Sequence, residues 1–274
     1  MSKNDIVTVE TDFSEEAGGG FRLHQCGFLS DMRRWQFPGL RGPFWRCYHH
    51  VGAGSFLREG GRRVPLLPGE VVLIPEDVVF DARGAAGVAH HWLHFSPPVG
   101  VRTRPDTRVV RLPVDPPLAG LLREWRPLLR GGAAAPEARR RLLHASLAVL
   151  HACLARARLP ETAAEAGGEL RAVLEEIERS LAAPAGNAAL ARRAGRSVEG
   201  FIRWFKEETG TTPARYGTRR RVQEAGRLLT LTGRSIDEVA AAVGFANRHH
   251  FSRVFARHTG HSPARFRAAQ RQVG

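Results

Sequence analysis

Ser235-Ile236-Asp237-Glu238-Val239-Ala240-Ala241-Ala242-Val243-Gly244-Phe245-Ala246-Asn247-Arg248-His249-His250-Phe251-Ser252-Arg253-Val254-Phe255 decides how the last third of this 274-residue chain folds. A serine with glutamate three residues on, ahead of an apolar run, is a capping box, so a helix starts after Ser235. Gly244 interrupts the run where a helix end favours a residue with positive φ. Asn247 has a side chain suited to cap a new helix, and Phe251, Val254 and Phe255 recur at the spacing of one buried helical face. Short helix, glycine turn and capped second helix together make a helix-turn-helix.

The same layout stands about 50 residues upstream. A short helix capped by Asn187 carries Leu190 and Ala194, Gly195 supplies the turn, and Ser197 caps Val198 to Thr209 with Phe201, Trp204 and Phe205 inward. The two units also end alike, in Phe205-Lys206-Glu207-Glu208-Thr209-Gly210-Thr211-Thr212-Pro213 and Phe255-Ala256-Arg257-His258-Thr259-Gly260-His261-Ser262-Pro263. Self-similarity of this kind marks a repeated supersecondary unit. Between them, Pro213 to Leu231 reads as one connecting helix with Tyr216, Val222, Ala225, Leu228 and Leu229 inward. Ahead of them, Leu170, Val173, Leu174, Ile177 and Leu181 make an amphipathic opening helix that ends near Pro184.

Charge points to the same region. Lys and Arg number 41 against 27 Asp and Glu, a formal net charge of +14 with a pI near 11.3. Of that excess, +10 lies between Leu170 and Gly274, with 19 basic and 9 acidic residues, and +4 in the rest. A basic stretch of this size fits a polyanion partner, although an Arg-rich solvated surface has the same composition. Cys26, Cys47 and Cys153 are odd in number and widely spaced, which suits neither a disulfide framework nor paired metal ligands and is expected of a reducing cytoplasm. The N-terminus has no secretory pattern, and no apolar run is long enough to span a bilayer, so a cytoplasmic protein without membrane contact is expected.

The chain is expected to be α+β. Residues 1–115 read as β-rich, with apolar runs such as Val71-Val72-Leu73-Ile74 and His91-Trp92-Leu93-His94-Phe95 separated by Gly, Pro and Asp. Residues 116–159 turn helical: Pro117 to Arg130 carries Leu118, Leu121, Leu122, Trp125 and Leu129, and after Gly131-Gly132 a longer helix opens at Pro136. Its stripe of Leu143, Leu147, Leu150 and Leu154 suits a homodimer seam, while the same spacing also serves packing against the chain's own β domain. Residues 160–169 have the small, breaker-rich composition of a linker, and 170–274 form the helical region with the two repeated units.

Val239-Ala240, Val243-Gly244-Phe245, Phe251-Ser252-Arg253, Phe255, Gly260-His261-Ser262-Pro263 and Phe266-Arg267 resemble the signature of the AraC/XylS family, and Pro213, Tyr216, Arg221, Ala225, Leu228 and Leu229 resemble its connecting helix. The resemblance covers roughly 100 residues. It implies a transcription regulator without enzymatic activity that binds double-stranded DNA, with RNA polymerase as a further partner. It also implies that the second helix of each unit enters the major groove, about one DNA turn apart. Glu199, Ile202 and Arg203 on the first such helix, and His249, His250 and Arg253 on the second, fall at base-facing positions. Arginine can hold guanine at two points, isoleucine can meet a thymine methyl, and glutamate can accept from cytosine N4. Glu199 serves equally as a favourable charge at a helix N-terminus. Arg248, Arg257 and the run Arg219-Arg220-Arg221 are expected at phosphates, the run having a solvated helix face as its alternative.

In the first part, Leu67-Pro68-Gly69-Glu70-Val71-Val72-Leu73-Ile74-Pro75, Tyr48-His49-His50-Val51 and His91-Trp92-Leu93-His94-Phe95 resemble strands of a cupin-like β-barrel sensor. Cys26-Gly27 and Gly42-Pro43 resemble members that respond to sugars. A metal is not expected, because metal cupins place a histidine where Phe80 stands and glycine where Asp77 stands. His49 and His50, being adjacent on a strand, also point to opposite faces. No cofactor is expected. A small-molecule effector, a carbohydrate being the class implied, is expected to meet Arg46, His50, Trp92 and His94, which otherwise simply fill the barrel. Two rivals stay open at this level: a cupin-type enzyme fused to a DNA-binding domain, and a regulator that needs no effector.

Overall fold

The computed structural model describes residues 6–9, 21–42, 44–76, 78–97, 108–131, 135–157 and 168–273. They divide into two compact units, one carrying the strands with two helices and the other wholly helical. Of the proposed linker, residues 160–169, the stretch 160–167 lies outside the described residues, and the last two positions, Gly168 and Glu169, already belong to a helix.

The first unit has the strands β1 (Ile6–Val9), β2 (Arg22–Leu29), β3 (Gln36–Leu40), β4 (Trp45–Val51), β5 (Phe56–Glu59), β6 (Arg62–Pro65), β7 (Glu70–Ile74), β8 (Phe80–Arg83), β9 (Ala89–Ser96) and β10 (Val110–Pro113). They form two antiparallel sheets, ordered β1-β2-β9-β4-β7-β10 and β3-β8-β5-β6. Leu29, Trp35, Leu57, Leu66, Val72, Ile74, Phe80 and Trp92 meet between them as one apolar core, the interior of a cupin-like barrel. Strands β4 and β9 are buried along nearly their whole length and show no alternation of buried and exposed residues. The reason is a second layer. Helices α1 (Pro116–Gly131) and α2 (Pro136–Arg156) cover the other face of the larger sheet, with Trp125 6.2 Å from His91 and His151 4.6 Å from Phe21, ring centre to ring centre. Trp125 donates to the Ser146 hydroxyl at 3.0 Å, which satisfies its indole N–H where both groups are buried.

This layer revises the use of the leucine stripe. Leu143, Leu147 and Leu150 are buried within the chain itself and Leu154 is half-buried, so the stripe is no open seam; a dimer contact needs other residues. Asp115 closes the layer: it caps α1 at the Leu118 amide and binds Arg156 at the end of α2 through both carboxylate oxygens.

The second unit comprises α3 (Gly168–Arg179), α4 (Asn187–Arg193), α5 (Val198–Thr209), α6 (Pro213–Leu231), α7 (Ile236–Ala242), α8 (Arg248–Thr259) and α9 (Pro263–Val273). Asn187 is the first residue of α4 rather than its cap; Gly186 holds the cap position and offers no side chain. The other caps are as expected. Ser197 and Asn247 accept from Gly200 and His250, and Ser235 with Glu238 forms the full capping box. The turn glycines Gly195 and Gly244 have φ of +59° and +75°. The repeat extends to the hydrogen bonds: Thr209 donates to the Phe205 and Thr211 carbonyls, and Thr259 to those of Phe255 and His261.

Because Leu150 is fully buried, Leu150→Ala should lower the unfolding free energy of the first unit by about 2–5 kcal/mol. Leu147→Glu with Leu150→Glu should unfold that unit rather than yield a folded monomer. Urea denaturation followed by tryptophan fluorescence checks both; a folded double variant would return the stripe to the surface.

Candidate nucleic-acid interface and effector site

Helices α5 and α8 each bury two phenylalanines, Phe201 with Phe205 and Phe251 with Phe255. A residue two positions before a buried phenylalanine lies about 200° around the helix. Arg203 and Arg253 are accordingly exposed, as are Glu199, Arg248, His249, His250 and Arg257. Ile202 is half-buried and packs on the core of α3, α4 and α5, which limits the side chain it can offer to a base. Arg248 lies 3.1 Å from Asp237, but both side chains are more than half exposed, so the pair is weak and exchangeable.

Two of the arginines assigned to phosphate on α6 point elsewhere. Arg220 is engaged by both oxygens of Glu178 on α3 and by Gln223, with only 16% of its side chain exposed. Arg221 turns toward the second unit's turn, donating to the Gly244 carbonyl at 3.2 Å with its guanidinium 4.6 Å from the Phe245 ring centre. Neither is available as an outward phosphate contact. Sequence reasoning missed Lys206, exposed one turn beyond Arg203 on the same line of α5; the helical spacing of Glu199, Arg203 and Lys206 was the signal.

In the barrel, Arg46, His50, Trp92 and His94 share one inward face. Strands β4 and β9 pair Arg46 with His94, Tyr48 with Trp92 and His50 with His90, so alternate residues of both strands converge. His90 and Tyr48 therefore share that face, which the period of two made legible. The rings are close: His50 stacks on His90 at 4.8 Å, His94 on Phe44 at 4.6 Å, and Trp92 lies 4.7 Å from His94. Arg46 places its guanidinium 4.8 Å from the Phe44 ring centre.

Burial keeps these imidazoles neutral. It pushes His50 down to about 3, helped by the charge of His49, and holds His90 and His94 well below the ordinary histidine range. Yet both ring nitrogens of His50, Nδ1 of His90 and His94, and Nε1 of Trp92 are buried with no hydrogen-bond partner among the described residues. A buried polar atom left unbonded costs about 1–3 kcal/mol, so this wall has unused hydrogen-bonding capacity. A neutral imidazole offers one donor and one acceptor, which matches hydroxyls, themselves both donor and acceptor.

On the outer face of the same strands, burial pushes His49 down to about 4 and His91 to about 3, with Arg126 adding to both effects. These folded values lie below the ordinary 6.5, so the unfolded chain takes up protons first as pH falls. The contribution to stability is complete above about 6.5 and is lost progressively toward pH 3–4, at about 1.4 kcal/mol per pH unit for each buried histidine. The urea midpoint of the first unit should therefore drop between pH 7.5 and 5, and drop less in His91→Phe. A midpoint that does not move over this range would contradict the neutral buried cluster.

Residues 47–191, just over half of the chain, match the family described as AraC-like ligand binding domain, and residues 190–269 match the helix-turn-helix domain family. The HTH-type transcriptional regulator GlxA of Rhizobium meliloti is 37% identical over 124 residues, 43% of this chain and 38% of that protein. The HTH-type transcriptional activator RhaS of Escherichia fergusonii is 39% identical over 79 residues, 29% of this chain and 28% of that protein. The chain thus spans less than half the length of these curated relatives. The crystal structure of ToxT from Vibrio cholerae has the same fold, with a TM-score of 0.54 over 92% of this chain and 98% of that one at 11% identity. With a neutral-walled barrel and a repeated, basic, capped helix pair both in place, the chain belongs to the AraC family of transcription regulators, an AraC-like ligand-binding domain joined to a helix-turn-helix DNA-binding domain.

Proposed function

We propose that this regulator reads two adjacent major-groove segments of double-stranded DNA with α5 and α8, under the control of an uncharged, hydroxyl-rich effector, a sugar or sugar-like molecule, held in the barrel. The observation that carries the DNA part is the duplicated exposed face, where Arg203 and Arg253 occupy equivalent places opposite buried phenylalanines. Glu199, His249 and His250 share the base-facing side, Ile202 contributes at its margin, and Arg248, Arg257 and Lys206 flank it toward phosphate. The effector part is supported by the inward His50, His90, Trp92 and His94 with their unbonded nitrogens and by the aromatic surfaces around Arg46. The regulator works as a homodimer in the cytoplasm, where its three cysteines stay as thiols, and acts on RNA polymerase at the promoter.

Binding-site selection from a random DNA pool tests the first part. Arg203→Ala and Arg253→Ala should each cost about 1–3 kcal/mol on the preferred site and relax preference at separate base pairs. Wild-type affinity should fall by about 10³ or more between 50 and 200 mM salt, given roughly 6–10 phosphate contacts. Uniform loss of affinity with unchanged base preference would make both arginines phosphate clamps.

For the effector, neutral sugars should raise the melting temperature of the first unit, and His50→Phe should abolish the rise while leaving DNA selection intact. No shift with any neutral polyol, against a shift with anionic ligands, would overturn the effector class.

A further inference from the structure

Helix α6 serves both helix-turn-helix units, but their apolar cores share no side chain. One gathers Leu170, Leu174, Leu190, Phe201 and Phe205, with Tyr216 at its edge; the other gathers Val222, Leu229, Val239, Phe251 and Phe255. Something else has to hold the units at a fixed angle about their common helix. The candidate is a contact at its middle. Gly244, the turn residue of the second unit, lies directly on the backbone that follows α3: a Cβ built there would stand 2.4 Å from the Ala182 carbonyl oxygen and 2.9 Å from that of Leu181. Arg221 fastens the same turn, donating to the Gly244 carbonyl at 3.2 Å and to Thr218 at 3.4 Å, with its guanidinium over Phe245. The preceding residue, Arg220, binds Glu178 on α3 at 3.0 Å. Two consecutive arginines, about 100° apart on α6, thus tie one unit each.

We propose that Arg221, with the Gly244-Phe245 turn seated on Leu181-Ala182, is a spacing clamp that fixes the separation and phase of the two recognition helices, and so the number of base pairs between the two segments read. Arg221 is a positioning residue for DNA recognition and not a phosphate contact. A shift of one base pair moves one segment by about 3.4 Å and rotates it by about 35° relative to the other, more than a clamped pair of helices can follow. The proposal rests on α5 and α8 both reading DNA, as set out above, and its tests separate the two.

The first test needs no DNA. Spin labels at Glu207→Cys and Arg265→Cys, exposed positions in the two units, should give one narrow distance distribution, which broadens in Arg221→Ala and in Arg221→Lys. The lysine variant keeps the charge but loses the planar group that stacks and reaches two acceptors. A distribution unchanged in both variants would overturn the clamp.

The second test uses the selected site with its two segments moved apart or together by one base pair. Wild type should lose about tenfold or more on each shifted site, and both Arg221 variants should lose less than about threefold, with the salt slope of Arg221→Ala unchanged. Arg257→Ala, the phosphate comparison, should reduce the slope by about 1 and keep the full spacing penalty. If Arg221→Ala instead reduces the salt slope while the spacing penalty stays, Arg221 is a phosphate contact and the clamp is wrong. If wild type shows no sequence-selective DNA binding, the DNA reading itself fails; the label distances then still decide whether the clamp exists.

Discussion

One helix shared by two separate cores is the constraint on which the DNA-binding unit depends. Along α6, Tyr216 sits edge-on to Phe205 at 5.6 Å in the first core, whereas Val222, Ala225, Leu228 and Leu229 fill the second. A continuous helix of 19 residues is about 28 Å long and resists bending, so it sets the distance between the units. It does not by itself hold them in a fixed relation about that length, which the proposed clamp assigns to polar groups that sequence alone puts on the surface: Arg220, Arg221 and the backbone around Gly244. An arginine run on a basic protein reads as a phosphate patch until its partners are known. Here two of its members are structural and only their neighbours remain for DNA.

The two recognition helices are not electrostatic copies. Helix α8 carries Arg248, Arg253 and Arg257 with three histidines and no acid, while α5 sets Glu199, Glu207 and Glu208 against Arg203 and Lys206. Phosphate attraction is general to any sequence, so in the proposed reading the second unit would supply the larger share of salt-dependent affinity. The first, with little net charge, would in that reading depend on contacts that fit particular bases. The half-buried Ile202 and Gly200 narrow that set further, leaving Arg203 as the side chain best placed to discriminate.

In the barrel the governing fact is that β4 and β9 are buried on both faces. Desolvation disfavours the charged form of every histidine they carry, on the inner wall and under the helices alike. A wall of neutral imidazoles and an indole has hydrogen-bonding capacity without net charge, apart from Arg46. Such a surface favours ligands whose polarity comes from hydroxyls. Burial of both faces also explains why the alternation expected of a half-exposed strand is missing there.

By itself the sequence determined the helices of the second unit almost to the residue, because helix ends are local events. A serine or asparagine cap, a glycine at positive φ and a proline in the first turn act within a few bonds, and the repeat displays them twice. The strand period likewise placed Trp92 and His94 on one face of their strand, while the pairing of β4 with β9 brought Arg46 and His50 to the same side. What lay beyond reach was which partner each side chain meets across the fold. The Leu143-Leu147-Leu150 stripe has the same spacing whether it faces a second chain or the chain's own interior, and only the packed structure buried it within the chain. Arg220 and Arg221 have the same chemistry as Arg253 and Arg257. Tertiary structure alone decided that Glu178 and Gly244 lie close enough to take up the first pair, because residues 23 and 42 positions apart become neighbours only when the helices pack.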